Sequence, residues 1–340
     1  MTLRLRDDSR DHSGRVAAGS RGPDVRGRDP LSGSAPREVH GEGSGQRSAV
    51  AAHLASGRLT LGSAVLAAPR VEPDWVLPGL PVRDVGMIAA PGGTGKTRLG
   101  LQLAIGVALG TGWPWRTPPS APGRVLYLAA EEHPDILLDR LRAIAQATSM
   151  LTGDMDRLDT VLDVCSMITV PGATLSAFGN EGPLTAALLG VAEKRYRLIV
   201  VDPIASFAGI DAENDNAAVT RVVKYLRAVG EATGAAVLVM HHVAKSAILN
   251  GQTHLAVAAR GAIALTDGVR WQAQLTRLPD HKGDSLDAPD TYRQLVVAKA
   301  NHVRDGETAW LRLDADGVFW AVTEPGQART HKRAAAGRSW

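Results

Sequence analysis

Ala90-Pro91-Gly92-Gly93-Thr94-Gly95-Lys96-Thr97 follows the apolar run Val85-Gly86-Met87-Ile88-Ala89 and leads into Leu99-Gly100-Leu101-Gln102-Leu103-Ala104-Ile105. Strand, glycine-rich loop and helix stand in the order that a polyphosphate cradle requires. The glycines let main-chain N–H groups turn toward an anion, and the helix behind them presents its positive end. In such a loop Lys96 reaches the β- and γ-phosphates of a nucleotide, and the Thr97 hydroxyl is a ligand for Mg²⁺. The usual pattern begins with glycine, whereas Ala90 stands six residues before Lys96. A residue as small as alanine still permits the tight exit from the strand. The stretch Ala90–Thr97 is therefore expected to hold ATP with Mg²⁺.

The rest of the composition agrees with such a core. A chain of 340 residues accommodates one large α/β unit or two smaller ones, and 44% of it is hydrophobic while only 4% is aromatic. Plentiful Ala, Val and Leu suit a parallel sheet wrapped by helices. One cysteine, Cys165, allows no intrachain disulfide, and without Cys/His ligand spacing no structural zinc is expected. Apolar stretches are too short for a membrane span, the N-terminus lacks an apolar signal-peptide core, and a cytoplasmic location is expected. The net charge of +3 and pI near 9.2 permit an anionic partner such as DNA without requiring one.

Along the chain, residues 1–47 read as a disordered Arg/Gly/Ser-rich arm, either a flexible nucleic-acid contact or an inert extension. Residues 48–72 form a linker whose aliphatics recur with some helical spacing, 73–323 the core, and 324–340 a basic tail. Within the core, strands are expected at Val85–Ala89, Arg124–Ala130, near Leu162–Met167, at Leu198–Asp202 and at Ala235–Met240. Helices are expected at Thr97–Leu109, Pro134–Gln146, Leu184–Lys194 and Asn216–Thr233. After Ala262 the short alternating runs Val269–Leu275, Gln294–Ala298, Trp310–Asp314 and Val318–Val322 suggest antiparallel strands that extend the sheet. The fold class expected is α/β, with a mostly parallel central sheet flanked by helices.

A phosphate-binding loop needs an acid on the metal side, and Asp202 at the end of Leu198-Ile199-Val200-Val201-Asp202 supplies one. The next residue is Pro203, so the carboxylate that activates water lies elsewhere. Glu131-Glu132, just beyond the second strand, is the natural place, because parallel strand tips converge on the ligand crevice. His241-His242 ends the fifth strand, and neighbours on a strand point to opposite faces. One of the two is expected to sense the γ-phosphate rather than both to chelate a metal. The loop Val243–Arg260 that follows is long for a compact domain and carries Lys245, Gly251, Gln252 and His254.

Taken together, the phosphate loop, Ala130-Glu131-Glu132, Val201-Asp202, His241-His242 and Ala259-Arg260-Gly261 resemble the RecA-like core of hexameric replicative helicases, the plasmid RepA helicase family above all. Trp75-Val76-Leu77-Pro78, Arg270-Trp271-Gln272 and Ala298-Lys299-Ala300-Asn301 extend the resemblance over roughly Pro73 to Val322. It implies a homo-oligomeric, hexameric ring that hydrolyses ATP, binds single-stranded DNA and unwinds duplex DNA in replication. Residue by residue it implies Lys96 and Thr97 on phosphates and metal, Glu131 as the catalytic carboxylate, Asp202 as the metal-side acid and His242 as sensor. Arg260 is implied as a finger reaching a neighbouring subunit, with Lys299 at the same boundary, and Lys245 near the channel for single-stranded DNA. The rival readings are a RecA-fold recombinase or clock-type ATPase, a partition-type ATPase, a P-loop small-molecule kinase, and a non-catalytic nucleotide-binding regulator.

Overall fold

The computed structural model describes residues 51–52, 54–55, 66–177, 180–208, 216–243, 263–278, 288–303 and 307–325. Two units are separable, Met1–Arg70 and Val71–Trp340. In the first, residues 51–52, 54–55 and 66–67 are helical, and the expected arm 1–47 lies outside the described residues, as does the tail beyond residue 325.

The second unit begins with a short antiparallel hairpin, Trp75–Leu77 (β1) with Leu80–Pro81 (β2). Val85–Ala90 (β3) is buried at all six positions, as a strand covered on both faces must be. Lys96–Leu109 (α1) follows, then Val125–Ala129 (β4), Pro134–Ala147 (α2), Thr152–Val161 (α3) and Leu162–Ser166 (β5). A small hairpin, Ser176–Ala177 (β6) with Asn180–Glu181 (β7), precedes Pro183–Gly190 (α4), Leu198–Asp202 (β8), Ile204–Ala208 (α5) and Asn216–Thr233 (α6). Ala236–His242 (β9), Ile263–Gly268 (α7), Trp271–Arg277 (β10), Tyr292–Ala300 (β11), Thr308–Leu313 (β12) and Phe319–Val322 (β13) complete the order.

Among the described residues nine strands make one sheet, in the order β13-β12-β11-β10-β3-β9-β8-β4-β5. From β10 to β5 all neighbours run parallel, and from β10 to β13 they run antiparallel. The expected α/β fold is present with one correction. The run after Val269 is expected to join the antiparallel extension, but β10 pairs parallel with β3 and only its other edge meets β11 antiparallel. Alternation cannot distinguish these cases, because a strand at the junction is buried by both neighbours whatever their direction. Further differences are local. The helix expected over Leu184–Lys194 ends at Gly190 and a 3₁₀ turn covers Ala192–Lys194, while α3, α5 and α7 have no counterparts among the expected helices.

Period-two alternation builds two cores. Ile88, Ala90, Tyr127, Ala129, Val200, Leu238 and Met240 face α1, α2 and α3, whereas Met87, Ala89, Leu128, Val201 and Val239 face α4, α5 and α6. One polar side chain inside α1 closes the far end of the sheet. Gln102, fully buried, donates through Nε2 to the Phe319 carbonyl at 3.0 Å and accepts from the Phe319 N–H at 2.9 Å. The carboxamide thus pairs with β13 as another strand would, satisfying a buried donor and acceptor at once. Replacing Gln102 by Leu leaves both unpaired and is expected to cost about 2–4 kcal/mol of stability. Urea unfolding measures this loss, and amide exchange at residues 318–322 should quicken selectively.

Candidate functional site

Because β3, β9, β8 and β4 are parallel and adjacent, their C-terminal ends open on one edge of the sheet. The phosphate loop leaves β3 there, Glu131 and Glu132 follow β4, Asp202 ends β8, and His242 ends β9. Ala90 is fully buried with its methyl in the α1-side core, so the departure from glycine fills space that packing uses.

The loop itself is shaped for an anion. Gly93 has φ +71° and Gly95 φ +100°, and nothing lies within 4 Å of where a Cβ would stand on Gly92 or Gly93. Gly95 caps α1 without a side-chain hydrogen bond, and the first turn of α1 holds no acidic residue. Its leading N–H groups and dipole are therefore unopposed. The Thr94 hydroxyl donates to the Pro91 carbonyl at 2.7 Å, closing the loop upon itself.

Support comes from the antiparallel strands. Arg293 on β11 is buried, and its Nε donates to the Thr94 carbonyl at 3.1 Å. That bond fixes the Thr94–Gly95 peptide plane, whose N–H then points the opposite way. A Cβ on Gly95 would come within 2.7 Å of Phe319 Cζ, so β13 packs directly against the loop. Arg98 reaches across the β12–β13 turn to the Asp316 carbonyl at 3.1 Å.

Around this cradle the charged groups are sorted by partner. Lys96 is buried, and its Nζ lies 2.9 Å from Nδ1 and 3.2 Å from Nε2 of His242. Burial lowers the Lys96 pKa from its ordinary value, while Asp202 and Glu131 pull it back up. Burial and the Lys96 charge likewise lower the His242 pKa, which keeps the ring an acceptor for the ammonium. Glu131 faces the same group, with Oε2 3.9 Å from His242 Nε2 and Oε1 3.3 Å from the Ser206 hydroxyl. Glu132 is turned away, paired with Arg140 of α2 at 2.6 Å. Asp202 is buried and accepts a hydrogen bond from the Tyr127 hydroxyl at 2.6 Å.

Strand parity separates the two histidines. His242 shares the α1 side with Ala90, its partner in register, and so meets Lys96; His241 points into the opposite layer. There, burial first, then His242 and Lys96, lower its pKa to about 4. Lys299, expected at a subunit boundary, donates to the Thr266 and Val269 carbonyls at 3.0 and 2.7 Å, at the end of α7. Arg260 and Lys245 lie outside the described residues. Sequence reasoning assigns no role to Tyr127, Arg293 or Gln102, although a polar atom in an otherwise apolar run marks Tyr127 and Gln102. Nothing local marks Arg293, whose partner is 199 positions away.

Two outcomes follow from this geometry. Gly95→Ala adds a methyl where φ is +100° and Phe319 is in contact, so thermal unfolding should register a clear loss of stability together with weakened nucleotide binding. His241 stays neutral when folded down to about pH 4, whereas unfolded it takes up a proton below its ordinary value of 6.5. The unfolded state therefore binds more protons between these values, and stability falls as pH falls. The His241 share of the loss between pH 7 and 5 is roughly 2 kcal/mol. His241→Gln should remove that share when unfolding free energies of the two proteins are compared at both pH values.

Residues 51–247 match a family model described as an AAA domain, AAA_25. Among solved structures, one described as an ATPase domain is similar with a TM-score of 0.52 at 13% identity, covering 82% of this chain and 99% of that one. A DnaB-like replicative helicase, described with its interactions with primase, is similar with a TM-score of 0.51 at 13% identity, covering 70% of this chain and 57% of that one. At such identities the likeness speaks for the fold, a RecA-like core of parallel strands between helices. With more than half of its length matched, the chain belongs to the AAA-domain family.

Proposed function

We propose that this protein is an ATP-hydrolysing motor of the replicative-helicase type, which binds single-stranded DNA, works as a hexameric ring of identical subunits and separates duplex strands. The observation that carries the reading is the row Lys96, His242 and Glu131 beyond the tips of β3, β9 and β4, joined by contacts of 2.9 and 3.9 Å. A cation, a sensor and a carboxylate there are spaced for the terminal phosphate and the water that attacks it.

The donor set fits a nucleotide with Mg²⁺. Open glycines and the leading N–H groups of α1 suit the phosphates, and Lys96 adds a buried positive charge. Among the described residues no three His, Cys, Asp or Glu could hold a metal ion by themselves. Thr97 and Asp202 would hold Mg²⁺ jointly with the phosphates, a hard cation on oxygen ligands. When bound, Mg²⁺ neutralises charge on the phosphate oxygens. Lys96 would turn its ammonium from His242 to the β- and γ-phosphates. Glu131, held by Ser206, would orient the attacking water and accept its proton. Glu132 keeps α2 in place through Arg140.

His242 ends β9, and the chain runs from it into the segment bearing Lys245 and Arg260. Loss of the γ-phosphate would return His242 to Lys96, and this change would pass from the end of β9 into the segment that follows, where Lys245 would contact DNA. Arg260 would complete the site of a neighbouring subunit. ATP turnover, measured with and without single-stranded DNA, tests the reading. Single-stranded DNA should stimulate the wild type, while Lys96→Ala and Arg260→Ala should be inactive. Glu131→Gln should still bind ATP but turn over about 100-fold or more slowly, whereas Glu132→Gln should lose less than about 10-fold. Turnover indifferent to DNA, with Arg260→Ala fully active, would contradict the ring motor.

A further inference from the structure

Tyr127 stands in the middle of β4 between aliphatic neighbours, with its ring fully buried. Its hydroxyl lies 2.6 Å from Asp202 Oδ2 and 3.4 Å from the carbonyl oxygen of Thr97. A tyrosine hydroxyl has one proton to give, and the shorter contact takes it. Register explains the meeting, because Ala129 is opposite Asp202 and Tyr127 is opposite Val200, so tyrosine and aspartate are diagonal neighbours on the α1 side.

Space for that hydroxyl is made by α1. A Cβ on Gly100 would stand 2.7 Å from the Tyr127 oxygen and 3.1 Å from its Cε2. Glycine inside a helix is unfavourable relative to alanine, and the cradle makes no use of this one. The tyrosine needs the space.

We propose that Tyr127 is a positioning residue for the metal-side carboxylate: its hydroxyl holds Oδ2 of Asp202 and leaves the other oxygen to the water shell of Mg²⁺. The inference rests on the reading of Asp202 as the metal-side acid. An outer partner of this kind fixes the rotamer of a carboxylate in advance, so that no ordering cost falls on metal binding. Burial, and then the Asp202 charge, raise the Tyr127 pKa well above its ordinary value.

The test is binding of a fluorescent ADP analogue to the full chain, in EDTA and across a Mg²⁺ titration, for wild type, Tyr127→Phe, Gly100→Ala and Asp202→Asn. Tyr127→Phe keeps the ring and should bind in EDTA as the wild type does. Its gain in affinity on adding Mg²⁺ should fall about 10-fold or more, the range that loss of an outer partner produces. Gly100→Ala, which crowds the hydroxyl without removing it, should show the same selective loss and carries the comparison if Tyr127→Phe does not fold. An equal loss with and without Mg²⁺ would mean packing alone and overturns the inference. So does an undiminished Mg²⁺ gain in Tyr127→Phe when Asp202→Asn has lost it. If Asp202→Asn itself keeps the full gain, the reading of Asp202 fails and this inference fails with it.

Discussion

Parallel pairing of β3, β9, β8 and β4 is the constraint on which the site depends. Main-chain bonds fix the register so that Ala90 stands beside His242 and Ala129 beside Asp202. A slip of one residue would send His242 and Asp202 into the opposite layer, away from α1 and its lysine. The burial of six consecutive residues in β3 makes such a slip costly, since both faces are packed. Chemistry at the strand tips is thus specified by hydrophobic packing several residues earlier.

The antiparallel extension does more than enlarge the sheet. Arg293 from β11 holds the Thr94 carbonyl, Phe319 from β13 packs on Gly95, and Gln102 ties β13 to the helix that the loop opens. The phosphate loop is consequently braced from behind while its front remains open. Rigid backing and an open face together let the N–H groups meet an anion without reorganisation.

Most of the core was legible in the chain because continuous apolar runs, glycine spacing and a proline at the first turn of α2 are local signals. The parallel direction of β10 was not, since pattern reveals burial but not the direction of a neighbour. Spacing alone does not separate Glu131 from Glu132, and the resemblance alone favoured Glu131; folding distinguishes them, since Arg140 engages Glu132 while Ser206 and His242 face Glu131. His241 and His242 separate for the same reason, by the face on which each falls.

The sequence by itself determined that a strand, a glycine-rich loop with Lys96 and Thr97, and a helix stand in order, and that acids and a histidine pair end later strands. These are properties of neighbouring residues, set by propensity and spacing. Only the tertiary structure decided that Lys96 meets His242 across 146 positions, that Arg293 supports Thr94, and that Tyr127 donates to Asp202 across a space left by Gly100. Such contacts join segments far apart in the chain, and their partners are chosen by strand order and register, which no local pattern encodes.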